Sequence, residues 1–377
     1  MRVAIFGGAF NPVHREHVNL ARAAVRELEL DKIIIMPTAV SPHKSGKLSA
    51  DFWQRFEMCR LAFASIPQAE VSNYELTRGG VSYTYLTCEH FAGIYKDAQR
   101  WFIIGADMLE NFPQWKNPEK VLETFSLAAC AREDNRGFED SKTRVEGLFN
   151  TKVKTIPYVG EKVSSTAIRT LAALDGEFDM YVNPSVGQYI RDNGLYYSGR
   201  LNGVKRLLSP ERWAHTVRVA VLCAKNAARA GLTEEQAITM AALHDCAKNL
   251  PPDSPLLNGF VPPRDVPPPV LHQYSSAFVA EKHFKITDKT ILNAIACHTT
   301  GRENMTDADA LLFLCDMLEE GRKFDGVEEL RAVFRRDLTE CLFAALNHQI
   351  SYLKVSGAPI DGETEKAYKF LKDKKHE

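Results

Sequence analysis

The sequence has no Cys-x-x-Cys pair. Its eight cysteines (59, 88, 130, 223, 246, 297, 315 and 341) are scattered, and several sit inside apolar runs such as Leu127-Ala128-Ala129-Cys130-Ala131. That distribution argues against a disulfide framework and for buried free thiols in a reducing compartment. Apolar runs approaching the ~20 residues of a membrane span are also missing. Gly7-Gly8 interrupts the first apolar stretch after only a few residues, so no cleavable leader is expected either. Both point to a cytoplasmic protein with no membrane partner. Nor is there an excess of one charge: the net charge is −1 with no dense Lys/Arg block, which disfavours nucleic acid as a main partner but leaves small nucleotides open. Lys372-Asp373-Lys374-Lys375 reads as a solvated helix end. Low-complexity tracts and repeats linking the two halves are absent. What remains is 377 residues with 45% apolar and 25% charged side chains, the make-up of a soluble chain of two domains.

The first half alternates two patterns. Short apolar runs at 3–6, 33–36, 101–105 and 125–131 read as buried parallel strands. Amphipathic stretches lie between them: Val13, His17, Leu20, Ala21, Ala24, Val25 and Leu28 repeat at helical spacing, and Phe56, Leu61 and Ala64 suggest another helix. Such alternation predicts a doubly wound α/β domain, ending near Tyr196-Tyr197-Ser198-Gly199. From Val204 onward strand signals fade. Helices are predicted at 213–228, 234–247, 275–284, 289–297, 308–320, 327–334 and 338–353, giving an all-α bundle. The stretch 251–269 holds eight of the eighteen prolines and is expected to be an irregular loop. The division is therefore 1–197, a linker at 198–204, and 205–377.

Behind the first strand stands Gly7-Gly8-Ala9-Phe10-Asn11-Pro12-Val13-His14-Arg15-Glu16-His17. A glycine pair lets the backbone approach a phosphate chain without Cβ collision. The following helix start adds unpaired N–H groups and partial positive charge. His14 and His17, spaced i,i+3, can face one pocket, where two imidazoles suit charge developing during nucleotidyl transfer.

These residues resemble the (T/H)xGH nucleotidyltransferases, a Rossmann-like family. Pro42-His43-Lys44, Ser82-Tyr83-Thr84, Phe102-Ile103-Ile104-Gly105-Ala106-Asp107, Trp115-Lys116, Ser164-Ser165-Thr166-x-Ile168-Arg169 and Tyr181-Val182-x-Pro184…Gly194-Leu195-Tyr196 narrow the resemblance to the nicotinate-mononucleotide adenylyltransferases over residues 1–197. It implies transfer of the AMP part of ATP, with its Mg²⁺, to nicotinate mononucleotide. Nicotinamide mononucleotide is the runner-up acceptor. By the resemblance, Gly7, Gly8 and Phe10 form the phosphate turn and His14 and His17 hold the ATP phosphates. Ser164, Ser165 and Arg169 grip them from a second helix, and Lys44 neutralises a phosphate. Thr84 and Trp115 line the pyridine pocket, while Gly105 and Asp107 contact ribose or the Mg²⁺-nucleotide. Two departures stand out: Glu16, where the family has glycine, is expected to point outward, and Arg132-Glu133-Asp134 lacks the Arg-Pro-Gly turn, so a reshaped loop is expected there.

The second half carries His215, then His244-Asp245, His272, His298 and Asp316. Imidazole and carboxylate ligands converging from separate helices are how bundles hold metal. Six such ligands suit two divalent ions, with Asp245 as the bridge, and a metal pair clamps an in-line displacement at phosphorus. The order resembles the HD phosphohydrolase superfamily. His244-Asp245-x-Ala247-Lys248, His298-Thr299-Thr300-Gly301-Arg302 and Asp316…Glu319…Arg322 are similar to the HD-type symmetrical diadenosine-tetraphosphate hydrolases. That resemblance covers 203–355 and implies a di-iron centre cutting a dinucleoside polyphosphate, diadenosine tetraphosphate, into two ADP. His/Asp chemistry alone would accept Fe, Mn or Zn. Lys248, Arg302 and Arg322 would be cationic partners of the polyphosphate, with Thr299 and Gly301 beside it. The alternatives are another nucleotide phosphohydrolase or a nucleotide-sensing module without turnover.

Overall fold

A computed structural model describes residues 1–39, 49–132, 137–161 and 163–374. Lys44 and the Glu133-Asp134 departure lie outside the described residues. The chain divides into two compact units, one taking in 1–39, 49–168 and 177–195 and the other 169–176 and 196–374. Among the described residues, no helix is long and apolar enough to cross a membrane.

The first unit opens with β1 (Arg2–Gly8), α1 (Arg15–Glu27), β2 (Lys32–Pro37), α2 (Phe52–Phe63) and β3 (Ala69–Val71). It continues through α3 (Tyr74–Arg78), α4 (Thr84–Ile94), β4 (Gln99–Gly105), α5 (Ala106–Asn111), α6 (Pro118–Leu122) and β5 (Ser126–Arg132). After α7 (Phe138–Phe149) and β6 (Val153–Gly160) come α8 (Ser165–Ala173), whose second half falls in the other unit, and α9 (Pro184–Asp192). All six strands pair in parallel, in the order β3-β2-β1-β4-β5-β6.

Val3, Ile5, Ile34, Ile104 and Leu127 are buried, as strands covered on both faces must be. The edge strands differ. β3 has three residues, and β6 interrupts its apolar positions with Lys154, Thr155 and Pro157. Proline lacks an N–H donor, and an edge is where a sheet tolerates it. Neither strand forms an apolar run, so the sequence pattern shows only the four central ones. The order reverses between β1 and β4, and at such a switch point the loops leaving adjacent strands diverge and open a crevice at their carboxyl ends. Phe6 pairs with Ile103, which puts Gly8 and Gly105 on the two lips of that crevice.

The second unit is helical: α10 (Pro210–Asn226), α11 (Glu234–Leu243), α12 (Pro268–Lys282), α13 (Lys289–Cys297), α14 (Asp307–Leu318), α15 (Val327–Arg336), α16 (Leu338–Ser356) and α17 (Gly362–Lys374). The starts of α10, α11, α13 and α14 are capped by Ser209, Thr233, Asp288 and Thr306, each accepting a backbone N–H of the first turn. α14 is buried nearly all round, from Ala308 to Cys315, and so forms the centre of the bundle. One expectation is corrected here. The proline-rich stretch is not irregular to its end: Pro255–Leu257 forms a 3-10 turn, and α12 begins at Pro268, seven residues before Ser275. Proline is compatible with the first helical turn, whose N–H groups have no partner within the helix.

Candidate functional site

In the first unit the Gly7-Gly8 turn has no spare room. A Cβ on Gly7 would lie 3.3 Å from the Phe102 ring and one on Gly8 3.1 Å from Phe10. Phe10 takes φ +44°, a left-handed conformation costing about 1–2 kcal/mol for a residue with a Cβ. Its ring is buried edge-on against Phe6 and His17, which holds it there. His14 caps α1 and stacks on His17 with ring centroids 3.7 Å apart. The His14 backbone N–H donates to His17 Nδ1 at 3.1 Å. An Nδ1 that accepts leaves the proton of a neutral ring on Nε2, so His17 presents an N–H donor at the helix start.

Ser164 caps α8 by accepting the Ala167 N–H, and Ser165 Oγ donates to the Pro12 carbonyl at 2.9 Å. The Ser-Ser motif is therefore fastened to the histidine turn. Arg169 lies in the second unit, where its buried guanidinium donates to Glu234 at 2.9 and 2.6 Å. Gly105 ends β4, and its missing Cβ leaves space for Asp107 Oδ1, 3.0 Å from where it would stand. Thr84 opens α4, and Trp115 packs edge-on against Phe102 at 6.0 Å. Asn11 and Arg55 brace the turn: Asn11 bonds Ser49 Oγ and the Ala50 N–H, and Arg55 donates to the Ala9 carbonyl.

Glu16 does not point outward. Its buried carboxylate accepts the Tyr158 hydroxyl at 2.5 Å and the Glu161 N–H at 2.8 Å. Burial first, then the bond to Glu16, pushes the Tyr158 phenol well up, so it stays a donor. A Cβ on Gly160 would come within 2.9 Å of Glu16 Oε2. Glu16 thus ties the start of α1 to the end of β6.

The six histidines and aspartates of the second unit come together. His215 Nε2 lies 2.9 Å from Asp316 Oδ1, His244 Nε2 3.4 Å from Asp245 Oδ2, and His272 and His298 Nε2 lie 3.2 and 3.6 Å from Asp245 Oδ1. The ligand atoms of His215, His244 and Asp316 fall within 4.8 Å of one another, as do those of His244, Asp245 and His298.

The tautomers decide what this cluster wants. Nδ1 of His244, His272 and His298 faces the carbonyls of Ala241, Pro269 and Ile295 at 2.6, 3.0 and 2.7 Å. A carbonyl only accepts, so each Nδ1 carries a proton, and in the neutral ring Nε2 then keeps a lone pair. His215 Nδ1 likewise meets Glu319 Oε1 at 3.1 Å. Lone pairs then face carboxylate oxygens, and His272 Nε2 faces His298 Nε2 at 3.2 Å. Among the described residues, His215 Nε2, His244 Nε2 and Asp245 Oδ1 are buried without a hydrogen-bond partner. Acceptors turned on acceptors in a buried site call for cations, and this donor set of imidazole and carboxylate fits divalent metal.

The titration directions agree. Burial alone would raise the Asp245 carboxyl, but the imidazoles of His244, His272 and His298 outweigh it and hold it far below the carboxylate range. Asp316 is held low in the same way, against its burial, by His215 first. Burial pushes His272 down to about 4, which keeps it neutral. Burial also disfavours charge on His244, yet Asp245 and Asp316 reverse that and raise it: positive charge is favoured at that spot.

Several supporting residues escaped the sequence reading. Gln273, fully buried beside His272, accepts the Thr299 and Thr300 N–H groups at 3.1 and 3.2 Å. It locks the His298 segment to α12, where Thr299 Oγ1 stands 3.2 Å from His272 Nε2. Gly301 takes φ +69° in the turn that follows. Arg218 donates to Glu319 and behind His215 forms an outer layer. Arg212 donates to Asp245 Oδ2 at 2.8 Å; Arg-x-x-His at the start of α10 was the available signal. Lys248 lies 3.4 Å from Asp245 Oδ1, and Arg322 holds Asp316 through its carbonyl and Oδ1. Arg302 is placed elsewhere. It donates twice to Asp309, beside a cavity of about 450 Å³ lined also by Gln236, Asn293 and Thr306 but by none of the six ligand candidates.

Each half of the chain is similar to known proteins. Residues 5–171 match the cytidylyltransferase-like family and residues 212–321 the HD domain. A Mycoplasma genitalium protein named "probable nicotinate-nucleotide adenylyltransferase/Ap4A hydrolase" is 27% identical over 326 residues, covering 85% of this chain and 88% of that protein. A Clostridium kluyveri protein named "probable nicotinate-nucleotide adenylyltransferase" is 31% identical over 201 residues, 52% of this chain and 99% of that protein. A crystal structure from Clostridium acetobutylicum, of a "predicted HD superfamily hydrolase involved in NAD metabolism", is 27% identical and covers 45% of this chain and 94% of that one, with a TM-score of 0.41. The chain belongs to the nicotinate-nucleotide adenylyltransferase family, in a fused form that carries an HD domain behind the transferase half.

Proposed function

We propose that the first half joins nicotinate mononucleotide to the AMP part of ATP, giving deamido-NAD and pyrophosphate, and that the HD half hydrolyses diadenosine tetraphosphate to two ADP. The observation that carries the transferase reading is the His17 tautomer, an Nε2–H donor fixed beside the Gly7-Gly8 turn. In this reaction an oxygen of the mononucleotide phosphate bonds to the α-phosphorus of ATP as the bond to pyrophosphate breaks. Positioning and charge neutralisation suffice for that. His14 and His17 would donate to phosphate oxygens, and Lys44 would neutralise a further one. Thr84 and Trp115 would line the pyridine pocket, with Gly105 and Asp107 at the ribose or at the Mg²⁺ that accompanies ATP. Ser164 and Ser165 would hold phosphate from the start of α8, and Arg169 would do so by exchanging Glu234 for it. The ratio of kcat/KM for the nicotinate and nicotinamide mononucleotides tests this assignment, and a preference for the amide would refute it.

The hydrolase reading is carried by lone pairs aimed at carboxylates in a buried cluster. His215, His244, Asp245, His272, His298 and Asp316 would hold two divalent metals, for which iron is proposed. When bound, the pair supplies an activated water and neutralises the displaced oxygen. The protein's own part is to fix the ligand tautomers through the Ala241, Pro269 and Ile295 carbonyls and Glu319, and to bring Thr299 and Gly301 beside the substrate. Water adds to one phosphorus as its bond to the bridging oxygen breaks, and each half leaves as ADP. Release of ATP and AMP, or consumption of a nucleoside monophosphate in place of the dinucleotide, would refute this choice of substrate.

A further inference from the structure

The charges around the ligand cluster do not balance, and the imbalance lies on one carboxylate. Glu319 is matched by Arg218, and Arg322 serves Asp316 at 2.6 Å while its Nε reaches Glu319 at 4.0 Å, so two cations meet two anions there. Asp245 has two cations, Arg212 Nη1 at 2.8 Å from Oδ2 and Lys248 Nζ at 3.4 Å from Oδ1. Among the described residues, Asp245 is the one hydrogen-bond partner of the Arg212 side chain, and it uses a single N–H. A guanidinium has five such donors in a planar fork, so four remain. Exposure shows where they lead: the Arg212 and Lys248 side chains are 27% and 32% exposed, against 8% or less for the four imidazoles. Arg322 is 40% and Asp316 19% exposed, so the groups of the site that reach solvent are mainly cationic, and the fork of Arg212 is among them.

We propose that Arg212, with Lys248 beside it, is the group that receives the substrate's phosphoryl oxygens at this centre, the role that the sequence pattern gave to Arg302. Arg302 already spends Nε and Nη2 on Asp309 and lines a cavity that none of the six ligand candidates enters. Arg212 is anchored by one N–H to the carboxylate at the middle of the cluster and offers the rest of its fork to an anion. Planar, bidentate capture of phosphate is what guanidinium does better than ammonium. The ligand class is a nucleoside polyphosphate, which deepens the hydrolase reading above and rests on it.

The test compares Arg212→Ala and Arg212→Lys with their parent, both in a His17→Ala background that weakens nucleotide binding at the transferase half. ADP is the probe in titration calorimetry, and metal content is measured on the same samples. The expected result is ADP affinity lower by roughly 10-fold or more in Arg212→Ala, only partly recovered in Arg212→Lys, with metal content unchanged. Added guanidinium ion should restore hydrolysis of diadenosine tetraphosphate by Arg212→Ala and leave the parent unaffected. Unchanged ADP affinity in Arg212→Ala, while the parent binds ADP and hydrolyses the dinucleotide, would overturn the role of Arg212 alone. A parent that neither binds ADP nor cleaves any phosphate ester would overturn the hydrolase reading with it.

Discussion

Glu319 meets His215 Nδ1 at 3.1 Å through one carboxylate oxygen and takes Arg218 at 2.5 Å through the other. Burial would raise this carboxyl, but His215 and Arg218 hold it down to about 2, so it stays an acceptor and turns the His215 lone pair inward. Glu319→Gln should bind metal about 10–100-fold more weakly, the usual cost of losing such an outer partner. The metal dissociation constant measures it. An unchanged constant would mean that His215 is oriented by something else.

The same carboxyl sets a pH dependence. Its folded value is depressed below that of an unfolded glutamate, so the unfolded chain binds more protons between the two. The stability it contributes is present above about 4.5 and is lost as pH falls from there through about 2. Acid unfolding of the metal-free protein should thus be shallower across that window in Glu319→Gln than in the parent.

Glu16 is a structural brace. Glu16→Ala leaves the Tyr158 hydroxyl and the Glu161 N–H without their acceptor, which should cost about 1–3 kcal/mol, read by urea unfolding. The adenylyl transfer rate of the folded variant should stay near that of the parent. A large loss of rate at unchanged stability would instead give Glu16 a part in the transfer reaction.

His17 should matter to chemistry far more than to folding. Removing one preorganised donor from a charge-stabilising site typically costs about 10²–10³ in rate, so His17→Ala should show that loss in kcat for adenylyl transfer while HD-domain hydrolysis is untouched. Equal losses in both activities would point to a general folding defect.

All eight cysteines are buried. Burial raises the thiols of Cys246 and Cys341 to about 12, which leaves almost no thiolate, the reactive form, at neutral pH. Alkylation at pH 8 should therefore leave the native protein nearly unlabelled and modify all eight sites once it is unfolded, as counted by mass.

What the sequence revealed follows from what each signal measures. Apolar runs report burial on both faces, so β1, β2, β4 and β5 were legible. β3 and β6 are edges, one three residues long and the other broken by Lys154 and Pro157, and were not. The start of α12 was hidden because proline reads as a breaker wherever it occurs, although Pro268 and Pro269 occupy a first turn. The six histidines and aspartates were found by their order, and the structure brings them together. Of their supports, Gln273 and Arg218 act through contacts of 26 or more residues' separation that no local pattern encodes, whereas Arg212 carried the Arg-x-x-His spacing as a signal. Glu16 misled for a related reason: its partner Tyr158 lies 142 residues away.

The most direct test of the account is product analysis of diadenosine tetraphosphate incubated with the whole chain and with its His244→Ala, Asp245→Ala double variant. ADP is expected as the product of the parent, with no cleavage by the variant. ATP plus AMP from the parent, or undiminished cleavage by the double variant, would contradict it.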